Sequence, residues 1–267
     1  MEPSSDARGV RPVPPHGEGG AAGDCVTWLG HATILIELEG ARLLTDPLLR
    51  GRVAHLRRQV PVPEPPRELD AVLLSHRHHD HLDLPSLAAL DPNAPVIAPP
   101  GAGRSLRRTR REVIELAPGE RVTAGGTTIL AVPAVHDGRR VPVGAATEAV
   151  GYVVGERRRV YFAGDTEPFA AMAELAPVDV ALLPVWGWGP SLGPGHMDPA
   201  EAAQACALVR PAIAVPIHWG TYLRMGMARR HRAGMREPPR RFAAHVAALA
   251  PATRVAVLEP GGTLAVA

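Results

Sequence analysis

The stretch that decides how this chain reads is Ala71-Val72-Leu73-Leu74-Ser75-His76-Arg77-His78-His79-Asp80-His81. An apolar run reads as a buried strand. It empties into a segment where His76, His78, His79, Asp80 and His81 all carry atoms that bind metals. Imidazole and carboxylate at this density suit a first-row transition ion, zinc above all, with manganese or iron(II) as alternatives. The cluster lies where a strand exits, which is where α/β folds place their sites.

Composition narrows the classes around this motif. The chain has 267 residues, 46% of them hydrophobic, and a net charge of +2. No apolar run approaches the roughly 20 residues a membrane span needs. Met1 to Gly23 is rich in Pro and Gly and has no apolar h-region, so residues 1–24 are expected to be a flexible leader and the protein cytoplasmic. Cys25 and Cys206 stand apart, outside any CxxC spacing, and read as free thiols. All 29 basic residues are Arg. Without lysine there is no Schiff base, no P-loop and no Ser-Lys dyad.

Strand patterns fall at Val26–Leu29, Thr33–Leu38, Ala41–Thr45 and Val72–Ser75, then at Val96–Ala98, Val113–Leu116 and Thr127–Val132. In the second half they fall at Tyr152–Val154, Val160–Ala163, Val180–Leu183, Ile213–Pro216, Val255–Leu258 and Thr263–Val266. Helices are expected near Pro85–Leu90 with Asp83 as N-cap, near 102–108, through Met172–Leu175 with Thr166 as cap, from Asp198-Pro199-Ala200-Glu201 to Val209, and near Arg240–Leu249. Residues 50–68, with prolines at 61, 63, 65 and 66, read as a long surface loop. Strands alternating with helices in two comparable halves predict a two-sheet α/β sandwich, one domain over residues 25–267.

Further polar residues follow other strands. His136, Asp165 and His218 each sit just past a strand. His76 and His78, two apart, can chelate one ion together. Asp80 and His81 follow where the chain turns and can reach another. A carboxylate can bridge two cations, which suggests one ion on His76, His78, His136 and Asp165 and a second on Asp80, His81, Asp165 and His218. Two divalent ions about 3.5–4 Å apart can share a hydroxide and clamp a reacting group.

The string His76-x-His78-x-Asp80-His81, followed in order by His136, Asp165 and His218, resembles the metallo-β-lactamase superfamily. Trp28-Leu29-Gly30-His31-Ala32-Thr33, Leu44-Thr45-Asp46-Pro47, Gly164-Asp165-Thr166, His196-Met197-Asp198-Pro199 and Ile217-His218-Trp219-Gly220-Thr221 are similar to the branch that holds N-acyl-phosphatidylethanolamine phospholipase D and L-ascorbate-6-phosphate lactonase. The resemblance implies a four-layer αββα sandwich of two mixed sheets, with the metals at one edge. It also supports His196 as a substrate-facing acid, against the plainer reading of a loop histidine ahead of a capped helix. Asp198 reads as that cap. His31 and Asp46, at strand ends, either orient ligands from behind or serve local turns.

The expected activity is metal-dependent hydrolysis, a metal-bound hydroxide attacking a phosphodiester or an ester or lactone, with Asp80 able to orient the nucleophile or accept its proton. Phosphodiester cleavage is favoured. Lactonase, nuclease and non-catalytic metal-binding readings stay open. The substrate is expected to be a small molecule, anionic or phosphate-bearing. Arg104, Arg107, Arg108, Arg110 and Arg111, and the group Arg229, Arg230, Arg232, Arg236, Arg240 and Arg241, lack interleaved aromatics, so nucleic acid is not expected and solvated faces are. Leu223 to Pro239, with its three methionines, is a potential pocket wall or lid. Assembly into homo-oligomers is left open.

Overall fold

The computed structural model describes residues 12–13, 23–137, 148–187, 193–227 and 233–267. In chain order the strands are β1 (Pro12–Val13), β2 (Cys25–Gly30), β3 (Thr33–Leu38), β4 (Ala41–Thr45), β5 (Arg52–Val53), β6 (Leu56–Arg58), β7 (Ala71–Leu73), β8 (Val96–Ala98) and β9 (Val113–Glu115). They continue as β10 (Arg121–Ala124), β11 (Thr127–Pro133), β12 (Val150–Val154), β13 (Val160–Phe162), β14 (Val178–Pro184), β15 (Pro211–Ile217), β16 (Tyr222–Arg224), β17 (Arg254–Val255) and β18 (Gly262–Ala265). Helices are α1 (Leu84–Ala88), α2 (Gly103–Leu106), α3 (Pro199–Val209) and α4 (Glu237–Leu249).

Among the described residues, β1-β10-β11-β12-β13-β14-β15-β17 form one mixed sheet and β18-β2-β3-β4-β7-β8-β9 a second. Residue alternation explains why the second sheet is covered on both faces. Leu43, Ala71, Leu73 and Ile97 join the core shared with the first sheet. Their neighbours Leu44, Val72, Leu74, Val96 and Ala98 face outward, where Leu87 of α1, Leu90 and Leu106 of α2 cover them. On the far side, Ala202 and Cys206 of α3 and Phe242 and Val246 of α4 close over the first sheet. Each large apolar side chain buried in this way contributes about 1.5–3 kcal/mol. The result is the expected αββα sandwich.

Caps set where the helices begin. Asp83 accepts the Ser86 N–H at 3.0 Å, and the Arg50 guanidinium forks onto the same carboxylate at 2.8 and 2.7 Å. Asp198 accepts the N–H groups of Ala200 and Glu201, while the Glu201 carboxylate accepts the Asp198 N–H, completing a capping box.

Several expectations need correction. Thr166 caps no helix: its hydroxyl accepts the Val135 N–H at 2.8 Å and donates to the Glu167 carbonyl, and the next turn is 3-10 from Ala170 to Leu175. The helix expected at 102–108 is α2 followed by a 3-10 turn over Arg107–Thr109. Residues 50–68 are not all loop. β5 and β6 pair, and β6 pairs with β16 to make a small three-stranded sheet. Val53, Leu56 and Tyr222 pack there on Leu48. Arg58 fastens this sheet to the body by donating to the carbonyls of Leu29, Leu48 and Pro61. The strand Tyr222–Arg224 also opens the segment expected to form a pocket wall. Within the leader expected to be flexible, β1 pairs with β10.

The sheet directions position the site. β4 and β7 run parallel in one sheet, and β13, β14 and β15 run parallel in the other. Asp46, His76, Asp165, Trp186 and His218 all follow the C-terminal ends of these strands, so five loops converge on one edge of the sandwich.

Candidate metal centre

The residues singled out from the sequence meet at that edge in two groups. In the first, the His136 Nε2 lies 3.1 Å from the His78 Nδ1, and the His76 ring is 4.5 Å from the His136 ring. In the second, the His81 Nε2 lies 3.2 Å from the His218 Nε2, with Asp80 Oδ2 3.9 and 4.0 Å from the same two nitrogens. Asp165 stands between them. Its Oδ2 is 3.1 Å from His81 Nε2 and 3.9 Å from His76 Nε2, and its Oδ1 is 3.4 Å from His218 Nε2. The turn after β7 makes this possible: the N–H groups of His81 and Leu82 both bond back to the His78 carbonyl. His79 ends up exposed on that turn.

Whether these groups fit a cation is decided by the protons on the rings. Each ring nitrogen on the outer side faces an acceptor. The Nδ1 of His218 donates to the Trp186 carbonyl at 2.6 Å, and that of His136 to the Gly195 carbonyl at 2.7 Å. The Nδ1 of His81 donates to Asp46 Oδ2 at 2.7 Å. The Ser75 hydroxyl donates to Asp46 at 2.5 Å, so its lone pair is left to accept from His76 Nδ1 at 2.9 Å. A neutral imidazole has one N–H and one lone pair. Three lone pairs, on the Nε2 atoms of His76, His136 and His218, therefore face the centre, and the His81 Nε2 points to the same place. The buried His76 Nε2 and Asp165 Oδ1 have no hydrogen-bond partner. Inward lone pairs beside carboxylates, with nothing to donate to them, are the donor set of a divalent cation.

The electrostatics agree. Burial holds His76 well below the usual imidazole range, lowers His218 and brings His136 down to about 4, so these rings are neutral. Burial disfavours the charged forms of Asp80 and Asp165, yet the surrounding imidazoles keep both carboxyls well below the usual range. His81 is the exception: burial pulls it down, but Asp165, Asp46 and Asp80 hold it well above the ordinary value.

His196 joins the centre from the loop before α3. Its Nδ1 donates to the Gly193 carbonyl at 3.0 Å, and its Nε2 lies 3.4 Å from Asp165 Oδ2. Its ring stands edge-on to His136 at 4.8 Å and is 23% exposed, so it lies on the open side of the cluster. Burial opposes its charge, but the Asp165 carboxylate raises its pKa to about 9. Asp46 is wholly buried behind His81 and Ser75, and His31 lies beside Asp80.

Sequence reasoning did not single out Ser75, nor the carbonyls of Trp186 and Gly195. Ser75 had a visible signal, a small hydroxyl at the buried strand exit directly before the first histidine. Carbonyls carry no residue-type signal at all. Of the residues discussed above, Arg229, Arg230 and Arg232 lie outside the described residues, as do residues 1–11 and 14–22 of the expected leader. Among the described residues, no helix is long and apolar enough to cross a membrane.

Comparison with known proteins gives this geometry a context. The beta-lactamase superfamily domain model matches residues 41–219. A UPF0173 metal-dependent hydrolase of Methanopyrus kandleri is 33% identical over 88% of this chain and 97% of its own length. The N-acyl-phosphatidylethanolamine-hydrolyzing phospholipase D 1 of Caenorhabditis elegans is 34% identical over 73% of this chain and 64% of its own. The chain spans 60% of the length of a Mycobacterium bovis relative of uncharacterized function at 35% identity. Among solved structures, the metallo hydrolase Igni18 of Ignicoccus hospitalis superposes with a TM-score of 0.67 at 24% identity, over 91% of this chain and 98% of that one.

Proposed function

Given that the chain belongs to the beta-lactamase superfamily, in the branch of metal-dependent hydrolases with phospholipase D-like members, we propose that it is a dinuclear hydrolase of small phosphodiesters. The observation that carries this reading is the set of inward lone pairs around Asp165, arranged as two groups that share one carboxylate. One ion is assigned to His76, His78, His136 and Asp165, the other to Asp80, His81, His218 and Asp165. Two zinc ions, or manganese or iron(II) in their place, would lower the pKa of water toward neutrality and polarise the bond to be cleaved.

The protein groups have separate tasks. Asp80 is ionised and its Oδ2 is held by His31, which sets the carboxylate where it can orient the attacking water and take its proton. His196 lies on the open side of the cluster with its Nε2 aimed inward, the place from which an N–H stabilises charge on a substrate oxygen or protonates the leaving group. Burial of His76, His81, Asp165 and His218 excludes bulk water from behind the centre. The preference for phosphorus over carbon rests on the similarity to the phospholipase.

The test is metal content of the purified protein together with turnover of bis(p-nitrophenyl) phosphate and of a simple lactone. Two ions per chain and phosphodiester turnover are expected. Turnover of the lactone alone would transfer the reading to ester chemistry. A protein that takes up no zinc or manganese would overturn it.

A further inference from the structure

We propose that Glu167 is a positioning residue, whose carboxyl fixes the Gly195 backbone and through it the rings of His136 and His196; this inference rests on the hydrolase reading above. Glu167 stands two residues after Asp165, in a turn that ties three loops together. Asp165 itself faces the centre. The Thr166 hydroxyl accepts the Val135 N–H at 2.8 Å, and the Glu167 N–H donates to the Val135 carbonyl at 3.1 Å. Both backbone polar groups of the residue before His136 are thereby held. The Glu167 side chain reaches the third loop, where its Oε1 accepts the Gly195 N–H at 2.6 Å. A backbone N–H only donates, so the direction of this bond depends on no side-chain proton.

Gly195 is the piece that this grip controls. It is buried, and a buried N–H needs an acceptor; Glu167 is the one it has among the described interactions. Its left-handed backbone, at φ +82, brings the chain so close to His136 that a Cβ would meet the ring Nδ1 at 2.6 Å. The Gly195 carbonyl lies 2.7 Å from that same Nδ1. One residue therefore takes Glu167 on its N–H and His136 on its carbonyl. The next residue is His196, whose ring folds back on its own loop, with Nδ1 3.0 Å from the Gly193 carbonyl and 3.2 Å from that of Pro194. The His136 and His196 rings meet edge-on at 4.8 Å. A shift of Gly195 thus moves a candidate ligand and the candidate acid together. Among the described residues no cation pairs with the Glu167 carboxyl, and its side chain makes no contact with Asp80, His81 or His218 among the described interactions.

Glu167→Ala removes the acceptor, whereas Glu167→Gln keeps an amide oxygen that accepts at the same reach and is the rescue. Thermal unfolding checks that both variants fold. Hydrogen exchange at the Gly195 amide reads the bond itself, competition with a chromophoric chelator reads zinc affinity, and kcat and KM are measured on bis(p-nitrophenyl) phosphate. In Glu167→Ala the Gly195 amide is expected to exchange about 10-fold faster or more. One ion should bind about 10-fold more weakly and the other as in the wild type. The kcat should fall about 10-fold with KM little changed, because His196 acts in the transition state. Glu167→Gln should recover most of each loss. Unchanged exchange at Gly195 in folded Glu167→Ala, equal weakening of both ions, or a loss that Glu167→Gln shares in full would overturn the inference. Wild-type protein that binds no zinc would count against the hydrolase reading instead, while the exchange result would still report on Glu167, so the two failures are distinguishable.

Discussion

The two halves of the candidate centre are built differently. His81 and His218 are almost completely buried, and their outer nitrogens bond to Asp46 and to the Trp186 carbonyl, next to the ends of parallel strands. His78 and His136 are partly exposed, and His136 leans on Gly195, in the same loop as His196. The second half is mostly buried, whereas the first joins the buried His76 at the end of β7 to His78 and His136, which loops hold on the open side. Chemistry that must admit and release a substrate needs one of each: a half that does not move and a half that meets the incoming group.

Asp165 is common to both halves, so its removal should have the largest effect. Asp165→Ala is expected to empty both positions and lower phosphodiester turnover by about 10³-fold or more, the scale set by losing the Lewis-acid contribution. Metal analysis of the variant checks this. Retention of two ions would mean that the halves do not share this carboxylate. His196→Gln should lower kcat by about 10²-fold and keep both ions, since its proposed work is proton transfer. Metal loss in that variant would make His196 part of the open half instead.

Gly195→Ala probes the open half alone. At φ +82 a Cβ would meet His136 Nδ1 at 2.6 Å, so the ring must shift. Metal titration should then show one weakened ion, by about 10-fold. Weakening of the other ion would break the division into halves.

Glu39 gives a smaller effect, remote from the centre, on acid stability. Burial opposes its charge, but the backbone N–H groups of Arg157 and Arg158 and the Thr127 hydroxyl hold its carboxyl below the usual 4.5. A carboxylate depressed on folding stabilises the fold fully above its unfolded pKa, and loses that contribution as pH falls through the folded value. Glu39→Gln should therefore lower Tm at pH 7 by a few degrees, with the difference from wild type shrinking below about pH 4. A constant difference at all pH values would show that the charge is not what matters.

Much of this was legible in the sequence, for a physical reason. Parallel strands in a covered sheet are apolar throughout, and polar residues that interrupt them at their ends stand out, as His76, Asp165 and His218 do. The two-sheet α/β sandwich followed from the alternation of such strands with helices, and its αββα layering from the resemblance to the superfamily. The small sheet of β5, β6 and β16 was hidden because its strands have two or three residues, too few for a period, and lie among prolines and arginines. Thr166 was misread as a cap because a threonine before a helical stretch is compatible with capping, whereas here the neighbouring loop of Val135 claims its hydroxyl. The outer partners of the rings were illegible where they are carbonyls, since every residue has one.

Asp46 has a consequence for how metal preference can change. Its Oδ2 receives the His81 ring directly and, through the Ser75 hydroxyl, the orientation of the His76 ring, so one carboxylate sets the basicity of a donor in each half. In the proposed two-ion centre, a substitution at Asp46 would act on both ions together rather than favour zinc in one position and manganese in the other. A mixed-metal centre in this scaffold would have to arise elsewhere, from the Trp186 or Gly195 side, where each ring answers to a partner of its own.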